Sequence, residues 1–313
     1  MDAGRAADLY DAVVVGGGPA GLAAALYLAR ARYRVLVVEK DTFGGQITIT
    51  AEVVNYPGVE KTEGHSLTET MRRQALHFGA EFLLAEAQGI DVDGDFRIVR
   101  TSRGAFRCFA VLLATGAHPR KVGFEGEETF RGRGVAYCAT CDGNFFRDQV
   151  VAVVGGGNSA LEEALYLSRI ASKLYLIHRR EGFRAAKVYQ DKIRAASDKI
   201  ELVLDTVVTG LMGEDSLQGL HLKNVKTGEE TQLPVDGMFV FVGYEPQNSF
   251  LPAGLELDPQ GFIITDCEMR TNLPGLFAAG DIRSKMCRQV TTAVGDGATA
   301  ATAAFTYLEQ LEA

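Results

Sequence analysis

Residues 11–39 read DAVVVGGGPAGLAAALYLARARYRVLVVE, and this stretch decides the fold. A short β-branched run ends in glycines, an apolar helical segment follows over 20–30, and a second β-branched run covers 34–39. A buried strand, a glycine-rich turn, a helix and a second strand form a βαβ unit. Within the turn, Gly16-x-Gly18-x-x-Gly21 has the spacing of a dinucleotide-binding fingerprint.

The three glycines of this turn have different chemical roles. The first allows the tight turn, the second lets the backbone approach a pyrophosphate, and the third lets the helix pack on the strand. Free N–H groups and a partial positive charge at the helix start favour phosphate there. Glu39 lies 23 residues after Gly16, where a carboxylate can accept hydrogen bonds from ribose hydroxyls. The stretch therefore predicts a dinucleotide site.

The same pattern occurs a second time. A shift of 139 residues (152 minus 13) places 13–39 on 152–178 without a gap. The three turn positions then correspond as Gly16 with Gly155, Gly18 with Gly157, and Gly21 with Ala160. We therefore predict an α/β fold with two Rossmann-like nucleotide-binding domains.

The second repeat lacks an acid at the ribose-reading position. His178 stands at the position of Glu39, and Arg179, Arg180 and Arg184 follow it. Guanidinium groups bind phosphate in a bidentate manner, whereas a carboxylate would repel it. The pattern favours the 2′-phosphate of NADP over NAD. A solvated basic helix start is the structural alternative.

Residues 138–142 read CATCD. Structural zinc usually takes four Cys or His ligands, and no His lies near this pair in the sequence, so we expect a redox dithiol and no metal. Two intervening residues permit a disulfide that exchanges by thiolate attack. Asp142 is placed to move a proton to or from a sulfur or a flavin. A helix N-cap is its structural alternative.

Two features near the C-terminus suit a flavin. Residues 273–281, LPGLFAAGD, predict a strand ending at Asp281, whose carboxylate can hold a sugar-alcohol hydroxyl. Arg288, Gln289 and Val290 then begin a long apolar helix to about 308, whose N-terminus can stabilise negative charge on a reduced flavin ring. A simple strand–helix closure of the first domain is the structural alternative.

Composition and charge exclude several classes of protein. The chain has 313 residues, 35 of them Gly and 5 Cys, with a formal net charge of −8. Five Cys do not make a disulfide scaffold at this length, so we expect a reducing cytoplasm. The negative charge argues against nucleic acid or an anionic membrane as the partner. Glycines interrupt the uncharged run at 12–29, which argues against a membrane span.

Local patterns predict some further features. Ser66 and Glu69 have capping-box spacing and predict a helix that ends near Phe78. Short strands with turn residues predict an antiparallel insertion over 81–111. Cys108 and Cys267 are expected to be packed, and no role is assigned to Cys287.

Together the motifs resemble low-molecular-weight thioredoxin reductases over nearly the whole chain. They are GGGPAG (16–21), GGQ (44–46), NYPG (55–58), ATG (114–116), CATCDG (138–143), GGGNSALEEALYLS (155–168), HRREGFRA (178–185), GD (280–281) and RQ (288–289). The resemblance implies an NADPH:thioredoxin-disulfide reductase that uses FAD and forms a homodimer. Its FAD domain would comprise 1–116 and 244–313. The NADPH domain, inserted at 117–243, would carry the redox pair Cys138 and Cys141, with Asp142 as proton donor.

The resemblance also implies sets of nucleotide-binding residues. The FAD set is Gly16, Gly18, Pro19, Gly21, Glu39, Gly45, Gln46, Asn55, Asp281, Arg288, Gln289 and Val290. The NADPH set is Gly155, Gly157, Asn158, Ser159, His178, Arg179, Arg180 and Arg184. Members of the family rotate one domain against the other between half-reactions, with hinges that would lie near 115–117 and 243–245. The chain departs from the usual pattern at 244–247, at 284–287 and at Asn144.

Three other functions use related motifs. A flavin dithiol oxidase passes electrons to oxygen, but such enzymes tend not to need the NADP arginines. A reductase with another donor, such as ferredoxin, or with another acceptor shares the fold. A non-enzymatic flavin-bearing sensor makes no use of a C-x-x-C pair between two nucleotide sites.

Overall fold

The computed structural model describes residues 9–50, 52–124 and 126–312. The chain forms two compact units. The split unit comprises the described residues up to His118 and from Glu245 onward, and the inserted unit is Pro119–Tyr244. Which nucleotide each unit binds stays a prediction.

The helices and strands follow one another in three segments of the chain. Before and at the first crossing they are β1 (Leu9–Val15), α1 (Pro19–Arg30), β2 (Val35–Glu39), α2 (Gly64–His77), β3 (Glu81–Leu84), β4 (Ala87–Asp93), β5 (Phe96–Thr101), β6 (Gly104–Leu113) and β7 (Ala117–Pro119). In the inserted unit they are β8 (Val135–Ala136), α3 (Ala139–Asp142), β9 (Val150–Gly155), α4 (Asn158–Leu167), β10 (Lys173–Ile177), α5 (Lys187–Ala195), β11 (Ile200–Val203), β12 (Thr206–Met212), β13 (Gly219–Asn224), β14 (Glu230–Pro234) and β15 (Gly237–Phe241). From the second crossing onward they are β16 (Tyr244–Pro246), β17 (Leu276–Ala278) and α6 (Val290–Glu312). Short 3-10 turns cover Gly45–Ile49, Gly143–Phe146 and Gly280–Ile282.

The split unit is built on one sheet, in the order β3-β2-β1-β6-β5-β4, with β17 also paired to β6. Strands β1, β2, β3, β6 and β17 run parallel, while β4 and β5 form an antiparallel meander with β6. Strands β1, β2 and β6 are rich in buried valine and leucine, as expected for a sheet covered on both faces. The carboxyl ends of β1 and β2, which carry Gly16 and Glu39, therefore meet at one edge.

The inserted unit contains a parallel sheet in the order β11-β10-β9-β15-β8 and a three-stranded antiparallel sheet, β12-β13-β14. Its register reproduces that of the split unit. Val13 pairs with Leu36 between β1 and β2, and Ala152 pairs with Tyr175 between β9 and β10. Both members of the second pair lie 139 residues after those of the first (13 to 152 and 36 to 175). The predicted α/β fold with two Rossmann-like units is confirmed.

Helices α1 and α6 pack closely on one face of the split unit's sheet. Both are rich in alanine, and a Cβ added at Gly297 in α6 would lie 2.1 Å from the Ala20 carbonyl oxygen in α1. Only a hydrogen atom fits between the two backbones there. The close approach fixes the start of α1, which follows the first glycine turn.

The chain passes from the split unit to the inserted unit between residues 118 and 119 and returns between residues 244 and 245. Backbone hydrogen bonds within each unit join the two ends at these crossings. Arg120 N–H donates to the Gly243 carbonyl at 2.9 Å at the ends of the inserted unit. Gln247 N–H donates to the Gly116 carbonyl at 3.2 Å in the split unit. The two ends of each segment are therefore adjacent.

Two local predictions were wrong in detail. Helix α2 begins at Gly64 rather than at the predicted cap, Ser66, because the chain is fixed earlier: Gly64 N–H donates to Thr50 O at 2.9 Å. A Cβ at Gly64 would lie 1.8 Å from the Ile47 carbonyl oxygen. Strand β3, expected within an antiparallel insertion, instead pairs in parallel with β2, so the insertion begins at β4.

Candidate active site

The first glycine turn leaves space in front of α1. Gly16 has φ +109°, and a Cβ there would lie 2.4 Å from Ala114 O. A Cβ at Gly21 would lie 1.9 Å from Gly16 O, so both positions require glycine for packing. At Gly18 the nearest atom to an added Cβ is Gly45 Cα at 3.8 Å. The fold itself therefore does not require glycine at 18, but a phosphate lying close to the backbone would.

The N-terminus of α1 is available to an anion. Gly18 is the N-cap and Pro19 occupies the first turn, and no side chain of the described residues caps the helix. Unsatisfied N–H groups at a helix start bind phosphate well. Gly45, predicted for the same cofactor, contacts Gly18 at this edge.

Glu39 is held at the end of β2 by backbone groups. Its Oε2 accepts from Gly17 N–H at 2.8 Å, and its Oε1 accepts from Lys40 N–H at 2.8 Å and Asp41 N–H at 3.1 Å. A carboxylate has about four lone-pair positions, so one acceptor position is left after these three bonds. The carboxylate is thereby oriented before any ribose hydroxyl arrives.

A cavity of about 110 Å³ opens beside Glu39 within the split unit. Its lining residues are Val15, Gly16, Val38, Glu39, Lys40, Ala85, Glu86, Ala87, Thr115, Gln247, Ser249 and Phe250. Sequence reasoning found Gly16 and Glu39 but did not assign Lys40 or Gln247 to the site. Thr115 lies in the ATG motif at 114–116, so the motif could have placed it in the site. Its hydroxyl donates to Gln247 O at 2.8 Å.

Other predicted flavin residues lie near the start of α6. Asn55 Nδ2 donates to Gln289 Oε1 at 3.2 Å, which joins the NYPG segment to the RQ segment. Val290 packs beside an apolar cluster that includes Leu22 and Val53. Gln46 donates its side-chain amide to the Ala117 carbonyl. These contacts bring the NYPG and RQ segments together.

Asp281 presents an unpaired acceptor. Its Oδ1 is buried, and no donor among the described residues lies within hydrogen-bond distance of that atom. Burial raises the pKa of Asp281 to about 6, while Lys285 and Arg288 oppose that shift. A buried carboxylate oxygen without a partner is costly, so its presence indicates a ligand hydroxyl. This geometry fits the predicted flavin.

Arg288 lies where its guanidinium supports the loop before α6. Its Nη1 donates to Lys285 O at 3.1 Å and its Nη2 to Arg283 O at 3.4 Å. The group also lies 4.2 Å from the centroid of the Phe262 ring. In this structure Arg288 therefore holds the 283–288 loop; its predicted contact with the cofactor stays a prediction.

The second glycine turn repeats the geometry of the first. A Cβ at Gly155 would lie 2.5 Å from Phe241 O, whereas one at Gly157 would have no described atom within 4 Å. Gly157 is the N-cap of α4, again with no side-chain cap among the described residues. Asn158 and Ser159 begin the helix and are exposed. The middle glycine is thus the open position in both units.

We call residues 178–184 the arginine loop; this loop is anchored to the second glycine turn. Arg184 N–H donates to Gly156 O at 2.8 Å, and Ala186 N–H donates to Asn158 Oδ1 at 2.8 Å. The side chains of Arg179, Arg180 and Arg184 are exposed. The backbone bonds fix the loop beside the start of α4, and the arginines face solvent there.

His178 is buried in the same loop. Its ring stacks on Phe183 with centroids 5.3 Å apart, and a Cβ added at Gly156 would lie 2.2 Å from its Cε1. Burial lowers the pKa of His178, and the three nearby arginines lower it further. The His178 ring packs against the turn at Gly156. Its predicted part in cofactor binding stays a prediction.

Cys138 and Cys141 form a disulfide with Cα atoms 5.3 Å apart. Cys138 is the N-cap of α3, and its Sγ accepts from Cys141 N–H at 3.2 Å. The Thr140 hydroxyl lies 3.4 Å from the same sulfur. Both cysteines are half-buried, so the bond is accessible to thiolate attack.

Asp142 follows the disulfide at the end of α3. Asp142 occupies the N-cap position of the described 3-10 turn Gly143–Phe146, but its carboxylate makes no capping hydrogen bond there; Cys138 is the N-cap of α3. Burial raises the pKa of Asp142 to about 6, and Arg131 opposes the shift. A carboxyl that titrates near neutrality can both give and take a proton.

Known proteins share this arrangement of the chain. The family profile described as pyridine nucleotide-disulphide oxidoreductase matches residues 10–297. The chain belongs to this family. A thioredoxin reductase of Peptoclostridium acidaminophilum is 45% identical over 309 residues, covering 96% of this chain and 98% of that protein. A thioredoxin reductase of Listeria monocytogenes is 44% identical over 308 residues, covering 97% and 95% of the two chains.

A solved structure gives the same result for this oxidoreductase. The crystal structure of thioredoxin reductase from Streptococcus pyogenes superposes with a TM-score of 0.92 at 42% identity, covering 97% of this chain and all (100%) of that chain. The resemblance to thioredoxin reductases inferred from the motifs is confirmed.

The remaining cysteines of the oxidoreductase differ in environment. Cys108 is buried in β6, where burial raises the pKa of its thiol to about 12. Cys267 was expected to be packed, but it is exposed because it lies in the 266–270 turn rather than in a strand. Cys287 is exposed as well. The described residues contain no group of three or more His, Cys, Asp or Glu arranged for a metal. No helix of the described ranges is long and apolar enough to span a bilayer.

Proposed function

We propose that this oxidoreductase is a thioredoxin-disulfide reductase that uses NADPH as donor and FAD as its bound flavin. The observation that carries the proposal is the Cys138–Cys141 disulfide beside Asp142, in the unit that also carries the arginine loop. The relatives of similar length are thioredoxin reductases, which supports thioredoxin as the acceptor.

The split unit supplies the proposed flavin site. Glu39 would accept from ribose hydroxyls, the start of α1 would face the pyrophosphate, and Asp281 Oδ1 would accept from the sugar-alcohol chain. The open position at Gly18 suits a phosphate near the backbone. When bound, the flavin supplies two-electron chemistry between the nicotinamide and the disulfide.

The inserted unit supplies the proposed NADPH site. The start of α4 would face the pyrophosphate, and the arginine loop would bind the 2′-phosphate by charge-assisted hydrogen bonds. Lys226 steadies this loop, because its Nζ lies 2.9 Å from both Glu181 and Asp205. The donor would therefore be NADPH rather than NADH.

The disulfide carries the electrons to the acceptor. Two electrons and two protons convert Cys138–Cys141 to a dithiol, which breaks the S–S bond. One thiolate then attacks the acceptor disulfide to form a mixed disulfide, and the second thiolate closes the Cys138–Cys141 bond again. The acceptor leaves as a dithiol, so the electrons balance. Asp142 would exchange protons with the sulfurs, because burial places its pKa at about 6.

We also propose a cytoplasmic homodimer. A reducing compartment suits an enzyme that maintains dithiols. The dimer and the rotation between the units, with hinges near 115–117 and 243–245, rest on the resemblance.

The decisive experiment is an anaerobic titration of the purified holoprotein. NADPH should bleach the bound flavin, and oxidised thioredoxin should restore its colour. The Cys141→Ser variant should still be bleached but should no longer reduce thioredoxin. Absence of bleaching by NADPH, with bleaching by reduced ferredoxin, would support another donor. Rapid oxygen consumption with small dithiols would support a flavin dithiol oxidase.

A further inference from the structure

A compact ion cluster lies directly beside Asp281. We define the Asp296 cluster as Asp296, Arg283 and Lys285, whose side chains are 13%, 11% and 10% exposed. Asp296 Oδ2 lies 2.9 Å from Arg283 Nη1 and 2.8 Å from Lys285 Nζ. The same oxygen accepts the Gly280 backbone N–H at 3.0 Å. One carboxylate on α6 thus holds two cations and the residue that precedes Asp281.

Charged groups of the same region act on the Asp281 carboxylate, but none of them forms a hydrogen bond with its Oδ1. Lys285 and Arg288 lower the pKa of Asp281, and Asp296 raises it, so these charges act on its carboxyl group. No donor among the described residues nevertheless reaches the buried Oδ1. A nearly buried carboxylate near two cations would ordinarily pair with one of them, because an unpaired buried charge is costly. Something therefore keeps the cations away from that oxygen.

The Asp296 cluster provides that restraint. Lys285 Nζ is committed to Asp296 and to the Thr292 hydroxyl at 3.2 Å. Arg283 is committed to Asp296 and, through Nε, to Thr265 Oγ1 at 2.8 Å. With these partners occupied, Lys285 is not directed at Asp281 Oδ1. Arg288, the other cation that acts on Asp281, gives its Nη donors to the carbonyls of Lys285 and Arg283.

The backbone is fixed at the same point. Gly280 has φ +76°, and a Cβ there would lie 2.8 Å from Ala20 Cβ. The hydrogen bond from Gly280 N–H to Asp296 holds this tight contact, which sets the direction in which Asp281 leaves the turn. The Asp296 carboxylate thus holds both the neighbouring cations and the backbone of Gly280, next to Asp281.

We propose that Asp296 is a positioning residue for the flavin: it sequesters Lys285 and thereby keeps Asp281 Oδ1 available to a flavin hydroxyl. The inference rests on the proposed flavin site. Asp296 itself would not touch the cofactor. Loss of its charge would release Lys285 to pair with Asp281, and the cofactor would then have to compete with an internal ion pair.

The test measures FAD binding to apoprotein by quenching of FAD fluorescence, with the melting temperature of each apoprotein as a second readout. We expect Asp296→Asn to weaken FAD binding by about tenfold or more, since losing the negative charge that holds Lys285 and adding a competing pair costs more than about 1.4 kcal/mol. The double variant Asp296→Asn with Lys285→Met should recover most of that affinity, because the competing cation is gone. Lys285→Met alone should bind FAD within about twofold of the wild type.

Three results would overturn the inference. One is an Asp296→Asn variant that binds FAD as tightly as the wild type. Another is a double variant that binds FAD as weakly as Asp296→Asn, which would show that Asp296 only stabilises the local structure. If Asp296→Asn apoprotein does not fold, Asp296→Glu is titrated instead, and absence of any rescue by Lys285→Met overturns the proposal there too. Wild-type apoprotein that does not bind FAD would refute the proposed function itself, so the two failures are distinct.

Discussion

The phenolic hydroxyl of Tyr137 donates a 2.8 Å hydrogen bond to Glu127 Oε1, one residue before the redox disulfide begins. Glu127 is only 3% exposed, and its oxygens also accept from Val122 N–H at 3.0 Å and Gly123 N–H at 2.8 Å. Burial and the carboxylate raise the pKa of Tyr137, so its hydroxyl keeps the proton that it donates. The bond ties the loop that follows the first crossing to the segment that enters Cys138.

Tyr137→Phe should therefore destabilise the inserted unit. The substitution removes a donor from a buried carboxylate, which typically costs about 1.5–3 kcal/mol. Urea unfolding of the oxidised protein measures the loss. Tyr27→Phe, at a side chain that is 46% exposed on α1, is the control and should change little. Equal stability of the two variants would contradict the role of the Tyr137 bond.

The glycines at 18 and 21 should respond differently to alanine. Gly18→Ala should leave the apoprotein within about 0.5 kcal/mol of wild-type stability, because its φ of −77° suits alanine and the space is open. It should nevertheless lose bound flavin. Gly21→Ala should destabilise the apoprotein by about 1–3 kcal/mol, because its Cβ would collide with Gly16 O. Melting temperature and flavin content of both purified variants distinguish the two effects, and full flavin retention by Gly18→Ala would be inconsistent with a phosphate at that turn.

The arginine loop should determine the choice between the two nicotinamide donors. Replacing Arg179 and Arg180 by Ala should raise the KM for NADPH by about 10–100-fold, the expected effect of losing charge-assisted bonds worth about 1.5–3 kcal/mol. The KM for NADH should change little. Arg194→Ala, on α5 and paired with Asp191, is the matched control. An unchanged KM for NADPH in the double variant would show that the phosphate binds elsewhere.

Asp142 should make the oxidised protein less stable as the pH rises. Its pKa is about 6 in the folded protein against an ordinary value of 3.8, so the folded state holds the proton more tightly. The associated stability is fully present below about pH 3.8 and is lost as the pH rises through about 6. Asp142→Asn should flatten the fall in melting temperature across that window, whereas Asp191→Asn, at an exposed carboxylate on α5, should not. An unaltered pH slope in Asp142→Asn would argue against a buried, protonated Asp142.

The free cysteines should separate by reactivity. In the native oxidised protein, a maleimide should label Cys267 and Cys287, which are exposed, but not Cys108, which is buried with a thiol pKa of about 12. Reduction should add Cys138 and Cys141 to the labelled set. Mass spectrometry of the digested protein identifies the labelled positions, and rapid labelling of Cys108 would show that β6 opens readily.

Local rules were sufficient where the structure depends on neighbours in sequence. The spacing Gly16-x-Gly18-x-x-Gly21 between two β-branched runs predicted a turn and a helix, and the repeat predicted a second copy with the same register. The local rules failed where a residue distant in sequence determines the local structure. The start of α2 is fixed by the bond from Gly64 N–H to Thr50 O rather than by Ser66, and β3 runs parallel because it pairs with the edge of β2.

Site residues show the same division. Glu39 could be found because it ends β2, at the strand edge where ligand-binding side chains collect. Asp281 was expected to end a strand, but β17 ends at Ala278 and Asp281 lies in the 3-10 turn Gly280–Ile282 that follows it. Gln247 lines the cavity only because the chain returns to the split unit after 126 residues in the other (119 to 244 inclusive), and no local pattern marks that contact. Asp296 meets Gly280 across a loop and a helix turn, so its part also depends on tertiary structure.

The backbone bonds at the two crossings make this chain modular for protein engineering. Arg120 and Gly243 are joined at the base of the inserted unit, and Gly116 and Gln247 are joined at the base of the split one. Excision of 119–244 would leave a gap that a tight turn can bridge, and the excised piece would have adjacent termini, the arrangement that circular permutation and domain transplantation exploit. With NADPH bound in the inserted unit as proposed, the electron-donor specificity would be exchanged together with residues 119–244.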